Sequence, residues 1–218
     1  EPIGDGDGSD SNLTIDFGLT PSVSVGNLVL VDTDNNGVVN GGEAGLNGVA
    51  VRLYTGSGTL LASTTTAGGG LYLFSNLSPG DYIVEITPPA GYCSSTGTPG
   101  STTGAYEGNP AGNQPPDPDN NVDNDDNGNA AAGTCGQPGH TVRAAAVTLA
   151  VGAEPTDDGD GSNSNLTVDF GLVPALALGD LVWNDANNNG LVDGGESGID
   201  GLQVRLYTST GTLVATTT

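Results

Sequence analysis

Asp32-Thr33-Asp34-Asn35-Asn36-Gly37-Val38-Val39-Asn40-Gly41-Gly42-Glu43 sets oxygen-bearing side chains at positions 1, 3, 5, 9 and 12 of a twelve-residue loop, with glycine at position 6. That is the spacing of a calcium-binding loop. Calcium is a hard cation that takes oxygen ligands. Asp32, Asp34 and Asn36 would each give a side-chain oxygen, Val38 its backbone carbonyl, and Asn40 a direct or water-bridged contact. Glu43 would close the shell with both carboxylate oxygens. Gly37 allows the sharp turn, because it has no Cβ to oppose a positive φ. The pattern recurs as Asp185-Ala186-Asn187-Asn188-Asn189-Gly190-Leu191-Val192-Asp193-Gly194-Gly195-Glu196. Here the ligands would be Asp185, Asn187, Asn189, the Leu191 carbonyl, Asp193 and Glu196. Asp34 has become Asn187 while Asn40 has become Asp193, so each loop keeps three carboxylates. Moved but retained charge is what a bound cation selects; the competing reading is a solvated polar turn, which Asp, Asn and Gly also favour.

The loop must be held by its flanks, and these are not helical. Val25-Gly26-Asn27-Leu28-Val29-Leu30-Val31 precedes it, and Val49-Ala50-Val51-Arg52-Leu53-Tyr54 follows. Both are β-branched and apolar with short-period alternation, so both read as strands. Composition agrees. Thr, Val and Leu abound beside 37 Gly and 13 Pro, there is no Met, and the three basic residues are all arginines: Arg52, Arg143 and Arg205. The expectation is an all-β chain. Its 26 acidic residues leave a net charge of −23, which repels nucleic acid and anionic membrane. The acids gather in turns rather than strands, which points to divalent cations rather than to general disorder. No apolar run nears the ~20 residues of a membrane span. With no initiator Met, the chain begins mid-pattern, as a mature piece or window of a longer polypeptide would.

Residues 1–65 align without a gap to residues 154–218, and about 40 of the 65 positions are identical. The chain is therefore about 1.4 copies of a 153-residue unit in tandem. Asn12-Leu13-Thr14-Ile15-Asp16-Phe17-Gly18-Leu19 and its counterpart Asn165–Leu172 read as short alternating strands, ended by Pro21 and Pro174. The expected boundaries fall near 20 and 173. Residues 1–19 are then the closing strand of a preceding repeat, 20–172 a complete domain, and 173–218 the opening strands of a following one. The linker, Thr20 to Ser22, is short and holds a proline, which restricts relative motion.

Further along, Val49, Val51 and Leu53 share one strand face, and Thr59–Thr66 and Leu71–Phe74 form further strands. Tyr82, Val84 and Ile86 alternate with Ile83 and Glu85. The run Gly70-Leu71-Tyr72-Leu73-Phe74-Ser75-Asn76-Leu77-Ser78-Pro79-Gly80-Asp81-Tyr82-Ile83-Val84, through Pro88-Pro89-Ala90-Gly91-Tyr92, resembles the signature of the SdrD B-like domain family. That family is related to the Cna B-like modules of bacterial surface adhesins. Gly179-Asp180-Leu181-Val182-Trp183 with the loop to Glu196, Gly198-Ile199 and Gly201 resembles its opening motif, and Asp169-Phe170-Gly171 its closing one. The resemblance covers nearly all of 22–172 except a long insertion. It implies an immunoglobulin-like β-sandwich, calcium binding and tandem arrays at a bacterial surface. Many related modules carry an internal Lys–Asn isopeptide bond; a chain without Lys cannot form one.

Residues 93–140 are rich in Gly, Pro, Asn and Asp, with no strand pattern. Cys93 and Cys135, the two cysteines, stand in no zinc spacing. An extracellular disulfide closing the insertion is the expectation, worth roughly 3–4 kcal/mol by chain entropy; the alternative is two free thiols. Inside the insertion Asp123, Asp125 and Asn127 repeat the alternate-residue ligand spacing before Gly128, with no Glu to close a shell: a weaker cation site or a solvated acidic turn. His140 to Val151 reads as one long strand, with Ala145, Val147, Leu149 and Val151 toward the core. Asp158 and Asp160, and Asp5 and Asp7 in the first copy, give a still weaker cation signal within turn-forming sequence. Asn12 and Asn165 lie in N-x-[ST] contexts, a weak glycosylation signal.

No catalytic constellation emerges. His140, the single histidine, reads as a surface loop residue, and the acids sit at ligand spacing rather than paired for glycoside hydrolysis. The leading expectation is a calcium-stiffened, non-enzymatic extracellular stalk, fibre or sheath, with other copies or repeats of itself as head-to-tail partners. The rival is an adhesin that uses the 93–140 loop to bind a host protein or glycan.

Overall fold

The computed structural model describes residues 15–95, 118–120 and 123–218. The chain divides into two compact units, Glu1–Ala175 and Leu176–Thr218. The described part of the first unit holds strands β1 (Val23–Val31), β2 (Ala44–Gly45), β3 (Ala50–Thr55), β4 (Leu60–Thr65), β5 (Leu71–Leu77), β6 (Gly80–Thr87), β7 (Tyr92–Ser94), β8 (Asn129–Ala132), β9 (Thr141–Arg143), β10 (Val147–Leu149), β11 (Ser164–Asn165) and β12 (Phe170–Pro174). One short 3-10 turn, Pro118–Asn120, joins them. There is no α-helix among the described residues, hence none long and apolar enough to cross a membrane.

One sheet runs β11-β1-β12-β7, with β2 and β5 also on β1; the other runs β4-β3-β6-β9-β8, with β10 also on β6. β12 lies parallel to β1, Val29 opposite Phe170 and Val31 opposite Leu172, so the end of the domain is zipped onto its beginning. This is an immunoglobulin-like β-sandwich. The period-2 pattern builds its core. Val23, Val25, Val29, Tyr72, Phe74, Phe170 and Leu172 come from the first sheet, and Val51, Leu53, Val84, Ile86, Val142, Val147 and Leu149 from the second. Tyr72 buries its ring between Phe74 and Phe170, and its hydroxyl donates to the Val168 carbonyl at 2.7 Å. That bond removes the penalty of a polar tip in an apolar layer.

Glu85 points away from the core yet is also buried. Tyr54 donates to it at 2.9 Å, Arg143 grips it through Nε and Nη2, and Arg52 stands 3.6 Å away. Two of the chain's three cations thus cover one carboxylate.

Four local expectations change. The strand expected over 140–151 is broken into β9 and β10. The irregular turn between them shifts the phase, so Val142, Ala144, Val147 and Leu149 are buried while Ala145 and Val151 are exposed. The closing strand is likewise split into β11 and β12, and Pro174 ends β12 inside the ladder, opposite Tyr92, where its missing N–H is tolerated. His140 is not at the surface: it is buried, and desolvation lowers its pKa. The insertion is not free of strand, since β8 pairs antiparallel with β9.

In the second unit, β13 (Val204–Tyr207) and β14 (Leu213–Thr217) form an antiparallel hairpin. Its bulge falls at Leu206/Tyr207, where the β3–β4 hairpin has one at Leu53/Tyr54. The repeated sequence therefore reproduces even an irregularity. Residues 15–22 have no regular structure and expose Ile15, Phe17 and Leu19, whose counterparts Val168, Phe170 and Leu172 are fully buried.

Candidate metal centre

β1 delivers Asp32 directly from its last residue, and β2 begins directly after Glu43. Both ends of the loop are therefore anchored on one sheet, where Leu30 and Val31 pair with Gly45 and Ala44. Oxygens of Asp32, Asp34 and Glu43 all lie within 4.8 Å of one another. Asp32 is 1% exposed and accepts from the Asn36 and Gly37 amides at 3.2 and 2.8 Å. Glu43 accepts from Thr33 N–H at 2.8 Å with one oxygen and Asn40 N–H at 3.1 Å with the other. Asn36 accepts the Val38 amide, and Asn36 and Asn40 both turn their amide groups to Asp34. Gly37 stands at φ 71°, the conformation the sixth position requires. The chain has thus brought the carboxylates of Asp32, Asp34 and Glu43 round one point, with Asn36 and Asn40 hydrogen-bonded to Asp34.

The second loop makes the same bonds. Asn189 and Gly190 amides donate to Asp185 at 3.1 and 2.8 Å, the Leu191 amide to Asn189, and Ala186 and Asp193 amides to the two oxygens of Glu196. Asn187 and Asn189 both donate to Asp193, which holds its carboxyl below the usual range. The charge that moved from position 3 to position 9 still gathers the same side chains.

The acidic stretch of the insertion folds back against the first loop. Val39 N–H donates to Asn124 O at 2.9 Å, Asp126 N–H to Gly37 O at 3.0 Å, and Val38 bridges Asp125. Asp123 accepts from Asn27 Nδ2, and its charge, after burial, is the main influence raising the Asp169 carboxyl well above its ordinary value. Burial lifts Asp125 to about 6 and Asp126 to about 8. Asn127 is fully buried. Its carboxamide oxygen takes the Asp169 amide at 2.9 Å and its nitrogen faces Asp125. Asp123 and Asp125 thus bear electrostatically on Asp169, while Asn127 braces the same segment.

Sequence spacing missed Asp169 and Asp126. Both are the centres of local hydrogen bonding: Asp169 accepts from Leu28 and Asn124 amides, and Asp126 from Ser95 Oγ and the Gly128 amide. The only local signal for Asp169 was an acid inside an apolar stretch, Val168-Asp169-Phe170, where burial of an unassisted carboxylate is unfavourable, and Asp126 gave none that set it apart from its acidic neighbours. Asp158 and Asp160 stand together, with Leu166 N–H donating to Asp158 and burial raising Asp160. Asp5 and Asp7 lie outside the described residues, as does Asn12. Cys93 and Cys135 form a disulfide.

The SdrD B-like domain model matches residues 23–114 and 176–218, more than half of the chain. The chain belongs to the SdrD B-like domain family. It is 32% identical over 210 residues to a serine-aspartate repeat-containing protein F of Staphylococcus epidermidis, covering 95% of the chain and 10% of that protein. It is 31% identical over 209 residues to a serine-aspartate repeat-containing protein D of Staphylococcus aureus strain Newman, covering 94% of the chain and 12% of that protein. The chain spans about a tenth of the length of these relatives. The family places it outside the cell, at the bacterial surface, where a disulfide persists. The family match leaves out residues 115–175, so the Asp123–Asn127 segment and β12 lie outside it.

Proposed function

We propose that this chain is a calcium-stabilised structural repeat of an extracellular stalk, fibre or sheath, joined head to tail with other repeats or copies of itself. The observation that carries the reading is the pair of loops 32–43 and 185–196. They differ in where one carboxylate sits, yet make the same internal hydrogen bonds, and in the first Asp32, Asp34 and Glu43 converge within 4.8 Å. Three inward carboxylates repel one another unless a cation lies between them. The repeat boundaries this reading uses lie near 20 and 173, with 20–172 as the complete domain. The same logic extends, more weakly, to Asp123, Asp125 and Asn127 in the insertion. The role is mechanical rather than catalytic: an ion that binds only the folded loop stabilises the fold by mass action and stiffens the connection between strands.

The test is thermal unfolding of the 218-residue chain in calcium and in chelator, with ions counted by native mass spectrometry. A large calcium-dependent rise in melting temperature, at least two bound ions, and loss of one ion in Glu43→Ala are expected. No bound ion and no thermal shift would remove the calcium reading and leave the insertion as the feature to test for binding a host protein or glycan.

A further inference from the structure

The proposal concerns how the first loop is held, and it rests on the calcium reading above. Two hydrogen bonds, Val39 N–H to Asn124 O and Asp126 N–H to Gly37 O, make Val38 and Asp125 an antiparallel bridge and so fix Gly37, Val38 and Val39 to the insertion. These are loop positions 6 to 8, and they include the carbonyl that position 7 would turn to the ion. Asp126 is itself held from behind. Its carboxylate accepts from Ser95 Oγ at 2.7 Å and Gly128 N–H at 2.8 Å. Ser95 N–H is in turn bonded to Gly171 O at 2.8 Å, and a Cβ on Gly171 would fall 2.2 Å from Ser95 Oγ, so the fit there is close.

Ser95 lies two residues beyond Cys93. The disulfide joins Cys93 to Cys135, and Gly91 and Gly136 reinforce the junction by donating to Gly136 O and Tyr92 O respectively. The insertion is thus closed at its base by a covalent bond, and its far side presses on the loop. Cys93 is buried, but Cys135 is exposed, within reach of a small dithiol. The second loop makes the same internal bonds, and the 218 residues hold no counterpart of Asn124–Asp126 for it, so within this chain it serves as the unbraced reference. Among the described residues, no backbone hydrogen bond joins Gly190, Leu191 or Val192 to another segment.

We propose that Asn124–Asp126 is a positioning brace for loop 32–43, secured by the Cys93–Cys135 disulfide, so that reduction weakens calcium binding at this loop and leaves loop 185–196 unaffected. Reduction takes two electrons and two protons from a dithiol, which closes to its own cyclic disulfide while Cys93 and Cys135 become thiols. The cross-link shortens the chain's freedom between Cys93 and the brace; without it, ordering the brace opposes binding. Asn127 and Asp169 still clasp each other after reduction, so affinity falls rather than vanishes. Outer supports of this kind change metal affinity by roughly tenfold or more when lost. Linkage requires the reciprocal effect: calcium makes the disulfide harder to reduce by the same factor.

Calcium titration of the full 218-residue chain, oxidised and after dithiothreitol, tests this, with loop 185–196 as internal reference. The expected result is a weakening of one site by roughly tenfold, no change at the other, and calcium-dependent protection of the disulfide in a thiol–disulfide equilibrium. Glu196→Ala identifies which site moved. Ser95→Ala, which keeps the disulfide but cuts the tether to Asp126, is expected to weaken the same site in part. Two intact sites that ignore reduction, or equal weakening of both, overturn the brace while leaving the calcium reading in place. Absence of calcium binding in the oxidised chain overturns both.

Discussion

The loops 32–43 and 185–196 are a matched pair within one chain. Both wrap an aspartate round two backbone amides, and both hold the closing glutamate across the loop through two more. What differs is the surroundings. Asp32 and Gly37 are buried beneath the Asn124–Asp126 segment, whereas the 218 residues stop short of any counterpart of that segment for loop 185–196. The comparison separates two contributions that single sites confound. The internal hydrogen-bond pattern is written into twelve consecutive residues and recurs in both loops, while three carboxylates converge within 4.8 Å in the first. In the first loop the contacts proposed to hold that geometry come from residues more than eighty positions away.

The largest expected break in the symmetry is Phe170→Ala. Phe170 is fully buried, packs against Tyr72 and pairs opposite Val29 on β1. Its truncation is expected to cost about 3–5 kcal/mol, read by denaturant unfolding of the first unit, and to abolish calcium-dependent stabilisation there. Ion binding at loop 185–196 is expected to persist. Equal loss at both loops would mean that the second depends on the first unit's core.

Next in size is the pair Glu43→Ala and Glu196→Ala. Each removes a carboxylate and the acceptor of two amides, and each is expected to weaken its own loop roughly tenfold or more. The two part company in stability. Glu43 closes a loop tied to β1, β2 and the brace, so its loss is expected to lower the calcium-bound melting temperature of the first unit by more than Glu196→Ala lowers that of the second. Scanning calorimetry of both variants in calcium and in chelator decides it.

These contrasts show why the conformation of the two loops was legible in the sequence and the packing of the acidic insertion was not. Ligand positions 1, 3, 5, 7, 9 and 12 are a local code, so Asp32 to Glu43 and Asp185 to Glu196 could be named residue by residue. The alternation of Val49, Val51 and Leu53, or of Tyr82, Val84 and Ile86, is equally local, and all six are buried. Asp169 is forty-two residues beyond the Asn127 that clasps it, and no spacing rule spans that distance. Asp126 was passed over because the alternate-residue pattern assigned function to its neighbours, yet it is the member that faces inward. His140 and the break at Ala144–Ala146 were missed for a related reason. Short polar or alanine-rich segments carry little periodic signal, and burial there is decided by the strands of the opposite sheet.

Acid–base behaviour should divide the two regions by sign. In the first, burial foremost lifts Asp126 from 3.8 to about 8, with Asp32's charge adding to it. Between those values the folded chain keeps a proton that the unfolded chain has released. Stability from this group is therefore fully present below about 4 and is lost as pH rises through about 8. Asp125, raised to about 6, acts in the same direction. Melting temperature of the first unit in chelator is expected to fall over this range, and Asp126→Asn, neutral at every pH, to flatten the slope and exceed the parent at pH 8. A slope unchanged by Asp126→Asn would assign the effect to general repulsion among carboxylates. Asp193 behaves oppositely. Hydrogen bonds from Asn187 and Asn189 hold its pKa down, so its contribution is present above the ordinary carboxylate value and is lost on acidification.

The smallest expected effect is the most discriminating for mechanism. Asp34→Asn with Asn40→Asp moves one charge from position 3 to position 9 and gives the first loop the ligand charges of the second. If calcium reads the number of carboxylates round it, the double variant retains affinity to within about twofold, because three remain within reach of one point. Each single change is then unequal and informative. Asp34→Asn leaves two carboxylates and weakens binding, while Asn40→Asp gives four and, by added repulsion in the ion-free loop, increases the thermal shift on adding calcium. Were these loops only solvated turns, the singles and the double would bind nothing, and their melting temperatures would follow net charge alone. Calorimetric titration of the three variants distinguishes a site that counts charges from a turn that merely tolerates them. It does so at positions exposed enough that the fold is not itself disturbed.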